Sequence, residues 1–311
     1  MHHPIDPKID CVFKALLGSE SNRSLLIHFL NAILGPELSA PITWVDILNP
    51  YNEREFLNDK LSIVDIKARD EREGLYQIEI QLLTHRDLLA RIFYTWADLY
   101  RSQLQRGQHY GALKPTYSIW ILGEDLLCDS PDYAHNFRLR DAQGRSFLDH
   151  GGIWLLELNK FKGEQVETEQ QRWLKFFKDG EYLDDTALPV WMQTTEMRQA
   201  MTTLKTFSEK ERAYHAYQAR QNYLREQLSI QRHLDELRAE KEQTQAALEQ
   251  SRVEKEQERV AKEQERVAKE QERAAKEQER AAKEAAMQRE AAALAEIERL
   301  KAQLGAQGQV E

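Results

Sequence analysis

Residues 61–81 read LSIVDIKARDEREGLYQIEIQ. Two runs of alternating residues flank a short charged stretch, the pattern of two β-strands joined by a tight turn. In the first run Ser62, Val64, Ile66 and Ala68 share one face, and Leu61, Ile63, Asp65 and Lys67 share the other. In the second, Tyr76, Ile78, Ile80 and Leu82 lie opposite Gln77, Glu79 and Gln81. Folding the hairpin about Arg72 sets Val64 against Ile80, Ile66 against Ile78, and Asp65 against Glu79. Directly opposed side chains have Cβ atoms about 4.5–5.5 Å apart, where two like charges repel unless a positive charge lies between them. A hard divalent cation with oxygen ligands, such as magnesium, meets that need. The other reading is a water-facing sheet surface on which both acids are solvated.

The chain has 311 residues and a net charge of −9. Its C-terminal quarter lacks the composition of a globular core, which leaves a compact part of about 200–230 residues. The acidic balance argues against a nonspecific coat for polyanions, but not against a nuclease, because binding depends on a local patch and bound metal adds positive charge. Two cysteines, Cys11 and Cys128, are too few for a disulfide framework or a zinc cluster and read as small core hydrophobes in a reducing compartment, the cytoplasm. The opening MHHPIDPKID lacks an apolar segment, so no secretory leader is expected, and no run of about 18 apolar residues suggests a membrane span.

Around the hairpin the sequence alternates helical and extended patterns. Residues 10–34 read as two helices broken at Gly18–Ser19, with Asp10 and Ser21 as N-caps and Gly35–Pro36 as the stop. Residues 43–48 (TWVDIL) suggest a short strand and residues 49–60 a polar connection. Residues 85–106 predict a long amphipathic helix, with Leu88, Ile92, Trp96 and Leu99 as its apolar stripe. Arg91, Tyr94, Asp98 and Arg101 share its polar face. Residues 116–122 (TYSIWIL), 136–140 and 152–158 (GIWLLEL) predict three further strands, the last two joined by a turn at Gly144. Trp154 and Trp173 read as core residues. His28, His85, His109, His135 and His150 show no ligand spacing, so no zinc site is expected. No phosphate-loop, dinucleotide or serine-hydrolase signature occurs.

From Val253 a seven-residue unit recurs: VEKEQER, VAKEQER, VAKEQER, AAKEQER, AAKEAAM. Each VAKEQER unit is electrically neutral. Opposite charges four residues apart, as at Glu258 and Lys262, support an exposed helix. A coiled coil needs two apolar seam positions per heptad, and here only Val253, Val260, Val267, Ala274 and Ala281 supply one. Ile297, Leu300 and Leu304 restore the spacing near the end. The tail therefore reads as a weakly self-associating helix, capable of making a homo-oligomer, with a lone charge-stabilised helix as the alternative. A purely coiled-coil protein is excluded, since all six tryptophans fall in the first 200 residues.

Taken together, DCVFKALLG (10–18), LLIHFLNAIL (25–34), the hairpin, and ARIFYTWADLYRSQLQRGQHYGALKPTYSIWIL (90–122) resemble the PD-(D/E)XK nuclease family transposases, also described as recombination-promoting nucleases. The resemblance implies an α/β fold: a restriction-endonuclease-like core with a central mixed sheet flanked by helices; the heptad repeat adds a long charged C-terminal helix after it. With the helical pattern and the repeat beyond it, the chain divides into a nuclease-like domain (1–165), a helical extension (166–235) and a heptad-repeat helix (236–311). The resemblance implies magnesium- or manganese-dependent cleavage of DNA, with DNA as partner and no membrane. By motif, Asp65 is the aspartate of the PD half and Glu79 the second acid, and both would bind metal with the backbone carbonyl of Ile80. Val64 stands where the motif has Pro. Gln81 stands where the wider superfamily has Lys, in the E-x-Q form usual for this branch, so Gln81 can orient a water but supplies no charge. Lys67, Arg91 and Lys14 are candidates for the missing cation. Arg91 and Tyr94 are candidate phosphate contacts; the plainer readings are a surface ion pair for Arg91 and packing on the sheet for Tyr94. The competing function is an inactive nuclease fold serving as a binding or scaffold protein, oligomerised by its tail.

Overall fold

A computed structural model describes residues 4–49 and 65–307, the side chains of Asp65, Glu211, Arg212 and residues 302–307 excepted. The pairing expected between Val64 and Ile80 and the connection at 50–60 lie outside the described residues. The chain divides into two units, residues 1–230 and 231–311.

The first unit is built on a six-stranded mixed sheet in the order β1-β2-β3-β4-β6-β5. The strands are β1 Val45–Ile47, β2 Asp65–Asp70, β3 Leu75–Gln81, β4 Thr116–Leu122, β5 Ala134–Phe137 and β6 Gly151–Glu157. β1, β2 and β3 form an antiparallel ladder, β3, β4 and β6 run parallel, and β5 closes the far edge antiparallel to β6. The hairpin turn is organised by the buried Asp70. Its carboxylate accepts from the Arg72 and Gly74 amides at 2.9 and 2.7 Å and from the Tyr76 hydroxyl at 2.7 Å. Glu73 takes the left-handed conformation (φ 67°) that a three-residue hairpin loop needs. This turn fixes the register. Asp65 pairs with Glu79, Ile66 with Ile78 and Lys67 with Gln77.

Alternation then sorts the side chains onto two faces. Ile66, Ala68, Tyr76, Ile78, Ile119 and Leu156 enter the main core. Four helices cover that face: α1 Asp10–Leu17, α2 Arg23–Leu34, α4 Glu169–Asp179 and α5 Thr195–Glu209. Phe13, Phe29, Trp173, Phe177 and Met197 from these helices are buried in the same core, so the segment read as a helical extension shares one core with the sheet and packs on α1 and α2. On the opposite face α3, Leu88–Arg101, sets Leu88 and Ile92 against Trp120, Leu122 and Leu155 in a smaller cluster. Gly151 opens β6 at φ 87°, where a Cβ would lie 2.1 Å from the Thr116 carbonyl oxygen.

Several local expectations are corrected. Ser21 does not cap α2; Asn22 occupies the cap position and spends its side chain on the Ala15 carbonyl at 3.1 Å. Ile9, not Asp10, precedes α1; Asp10 accepts from the Cys11 amide and pairs with Arg220 at 3.1 Å. The helix expected over 85–106 is shorter, and the strand expected over 136–140 runs from Ala134 to Phe137. Cys11 is buried, with its thiol pKa pushed up by that burial, whereas Cys128 is exposed and is no core residue. Trp154 and Trp173 are buried as expected.

A sixth helix, α6 Glu211–Gln307, begins in the first unit, where Ala213 and Tyr217 join the main core. Within the second unit its residues form one exposed helix. Glu258–Lys262, Glu265–Lys269, Glu272–Lys276 and Glu279–Lys283 pair four residues apart, and Glu256–Arg259 and Glu263–Arg266 pair three apart.

Candidate active site

The odd-numbered residues of β3 point toward α3, away from the main core. Glu79 is only 3 % exposed there. A buried carboxylate needs partners for both oxygens, and two are supplied. Gln77, two residues back on the same face, donates to Oε1 at 2.8 Å. Arg91, one turn into α3, donates from Nη2 to Oε2 at 3.0 Å. The other terminal nitrogen of Arg91 donates to Gln81 Oε1 at 3.2 Å, and Gln81 in turn donates to the Leu83 carbonyl at 2.8 Å. The guanidinium carbon lies 5.4 Å from the Trp120 ring centroid, within cation–π range.

The register sets Asp65 directly across from Glu79 at the start of β2. Lys67, two residues further along β2, lines a cleft of about 710 Å³ that opens beside Glu79. Its amide donates to Asn49 Oδ1 at 2.6 Å. Tyr94 lines the same cleft and is 72 % exposed, so it does not pack on the sheet. The Ile80 side chain packs against the main core on the other face. Lys14 lies on α1, which covers that opposite face.

The structure thus gathers Glu79, Gln81 and Arg91 through direct hydrogen bonds, and places Lys67 and Tyr94 along one cleft. Gln77 is the residue that sequence reading missed as part of the constellation. Its signal was present in the alternation, which puts Gln77, Glu79 and Gln81 on one face. The donors on this face are carboxylate and amide oxygens, the ligand chemistry of a hard divalent cation, with no sulfur or imidazole among them. Among the described residues no three His, Cys, Asp or Glu side chains converge as a metal site; the Asp65 side chain is outside that set. The histidines serve other roles: His28 Nδ1 accepts from Trp173 at 3.0 Å, and His135 lies 3.3 Å from the buried Glu157.

No curated protein and no solved structure matches the chain. The family described as PD-(D/E)XK nuclease family transposase matches residues 7–233, which take in the whole sheet, the hairpin and α3. With that span, and with a mixed sheet carrying its acidic hairpin against α3, the chain belongs to the PD-(D/E)XK nuclease family transposases.

Proposed function

We propose that this chain is a metal-dependent DNA endonuclease that hydrolyses phosphodiester bonds, with Asp65 and Glu79 as its acidic pair. The observation that supports this reading most is the register of the hairpin, which pairs Asp65 with Glu79, the residue that Arg91 holds. Asp65, Glu79 and the Ile80 carbonyl would hold Mg2+ or Mn2+. A bound divalent ion lowers the pKa of a water ligand and polarises the phosphoryl oxygens.

The remaining work falls to the chain's own residues. Gln77 and Arg91 hold the Glu79 carboxylate in place, one donor on each oxygen. Arg91 is the cation that stands in for the absent motif lysine, because its fork already spans Glu79 and Gln81 and its head is one third exposed toward solvent. It can offer a donor to a nonbridging phosphate oxygen as negative charge builds there. Gln81, anchored on Leu83, orients the attacking water. Lys67 adds a second positive charge at the cleft.

Purified protein is expected to nick or cut DNA with Mg2+ or Mn2+ and not with EDTA. Asp65→Ala and Glu79→Gln should each lower the rate by about 10²-fold or more, judged by the worth of a single preorganised electrostatic group, with the circular dichroism spectrum unchanged. An unaltered rate in Asp65→Ala removes the site.

A second reading, a nuclease fold that binds without cutting, draws on Gln81 and on the salt bridge that already occupies Glu79. It predicts no cleavage with any metal. In either case the tail is proposed to bring copies together weakly through the half-exposed Val253, Val260 and Val267. Size measurement of the full chain beside one lacking residues 231–311 tests that association. Among the described residues no helix is long and apolar enough to cross a membrane, and we place the protein in the cytoplasm.

A further inference from the structure

The cleft beside Glu79 has a floor and a wall of different chemistry. The floor is the polar face of β2 and β3, from Glu79 back through Gln77 to Leu75, with Lys67 and Arg69 alongside. At about 3.3 Å per residue this stretch of strand covers roughly 13 Å. The wall is the second half of α3, and Lys114 lies at the far end. A volume of about 710 Å³ is that of a site enclosing one small organic molecule. It has room for a nucleotide or two. Charge gives the same indication. The cations Lys67, Arg69 and Lys114 are matched by Glu73, Glu79 and Asp98 in the same lining, within a chain of net charge −9. Duplex binding without sequence preference rests on many phosphate contacts, and this surface offers few.

What the cleft does offer is a ring. Tyr94 follows Arg91 by three residues on α3, and 72 % of it is exposed at the cleft. A bare aromatic beside a few cations is the combination that holds unpaired strands, where base stacking supplies what charge does not. We propose that the cleft receives one unpaired DNA strand, with a base stacked on Tyr94 and the adjoining phosphates against Lys67 and Lys114. The identity of the polymer rests on the nuclease reading above. The preferred substrate is then DNA with a single-stranded segment, such as a flap or a displaced strand, in place of an intact duplex.

Fluorescence anisotropy of the full chain in EDTA, with a labelled single-stranded oligonucleotide and with its duplex, tests the proposal. The single strand should bind tighter by about tenfold or more. Tyr94→Ala should weaken its binding by about 5- to 150-fold, the range that loss of one stacked base implies, and Tyr94→Phe should retain it, since stacking needs the ring and not the hydroxyl. Equal or tighter duplex binding, no binding of either form, or an unchanged Tyr94→Ala overturns the proposal. Loss in Tyr94→Phe equal to that in Tyr94→Ala also overturns it and assigns the hydroxyl to a phosphate. A parallel cleavage assay with Mg2+ separates the two levels. Strand binding without cleavage in any metal leaves the cleft standing and removes the nuclease; cleavage of duplex and single strand alike does the reverse.

Discussion

Arg91 holds two acceptors on different residues at once, which a guanidinium does because its donors form a fixed planar fork. A lysine has the charge but not the fork. Arg91→Lys is therefore expected to keep the charge near Glu79 and release Gln81, lowering cleavage by about 10- to 100-fold, as loss of an orienting contact beside a metal site does. Steady-state rates against Mg2+ concentration check this. A drop in kcat with little change in the metal requirement is expected, and full activity in Arg91→Lys shows that charge alone suffices. At this scale the sequence was partly legible. The pairing of Asp65 with Glu79 could be read because apolar partners flank the turn symmetrically and admit one register only. The grip of Arg91 on Glu79 could not, because it depends on how α3 crosses the sheet, which no local pattern specifies. Gln77 was on the correct face but carried no mark that its amide would be used on a neighbouring carboxylate.

Among the elements, β6 ends in a third buried acid, after Asp70 and Glu79, that the alternation hid. Glu157 is fully buried, accepts from the Leu126 and Leu127 amides, and pairs with Lys160 at 2.7 Å. Burial alone would raise its pKa, but Lys160 and the two amides outweigh this and hold the carboxyl below the usual glutamate range. A carboxyl whose pKa is depressed by folding contributes stability above its unfolded pKa, about 4.3, and loses that contribution as pH falls through the lower folded value. Glu157→Gln should thus cost about 1–3 kcal/mol at neutral pH, with the gap from the unsubstituted chain closing below about pH 4. Urea unfolding at both pH values measures it. A gap that widens on acidification contradicts the network. Strands at 116–122 and 152–158 were readable because strands covered on both faces form nearly unbroken apolar runs. The edge strand β5 starts two residues before its expected place because its sequence, AHNF, has no alternation to anchor it. The helix after the hairpin was overestimated because its apolar stripe stops at Leu99 while helix-favouring residues continue.

For the whole molecule, the boundary near residue 230 separates a unit held by a core from one held by its own surface charges. Removing residues 231–311 should leave the thermal midpoint of the first unit unchanged. The helicity of an isolated 231–311 segment should fall as salt rises toward 1 M, because exposed pairs are screened. Circular dichroism on both pieces tests this, and a salt-insensitive tail would instead point to buried association between copies. The fold class and its order of elements were legible from periodicity, and the family match over residues 7–233 accords with them. The packing of α4 and α5 on α1 and α2 was less so, since their polar surfaces gave no sign that Trp173, Phe177 and Met197 share a core with Phe13 and Ile78.

Each heptad of the tail closes its ion pairs within itself or with the unit beside it. Copying or deleting one whole unit therefore breaks no contact type and rotates the following residues by only about 20°. Such an event alters reach in steps of about 10.5 Å, seven residues at about 1.5 Å each. Descendants of this gene can lengthen or shorten the tail, as with notches on a ruler, while the first unit stays as it is.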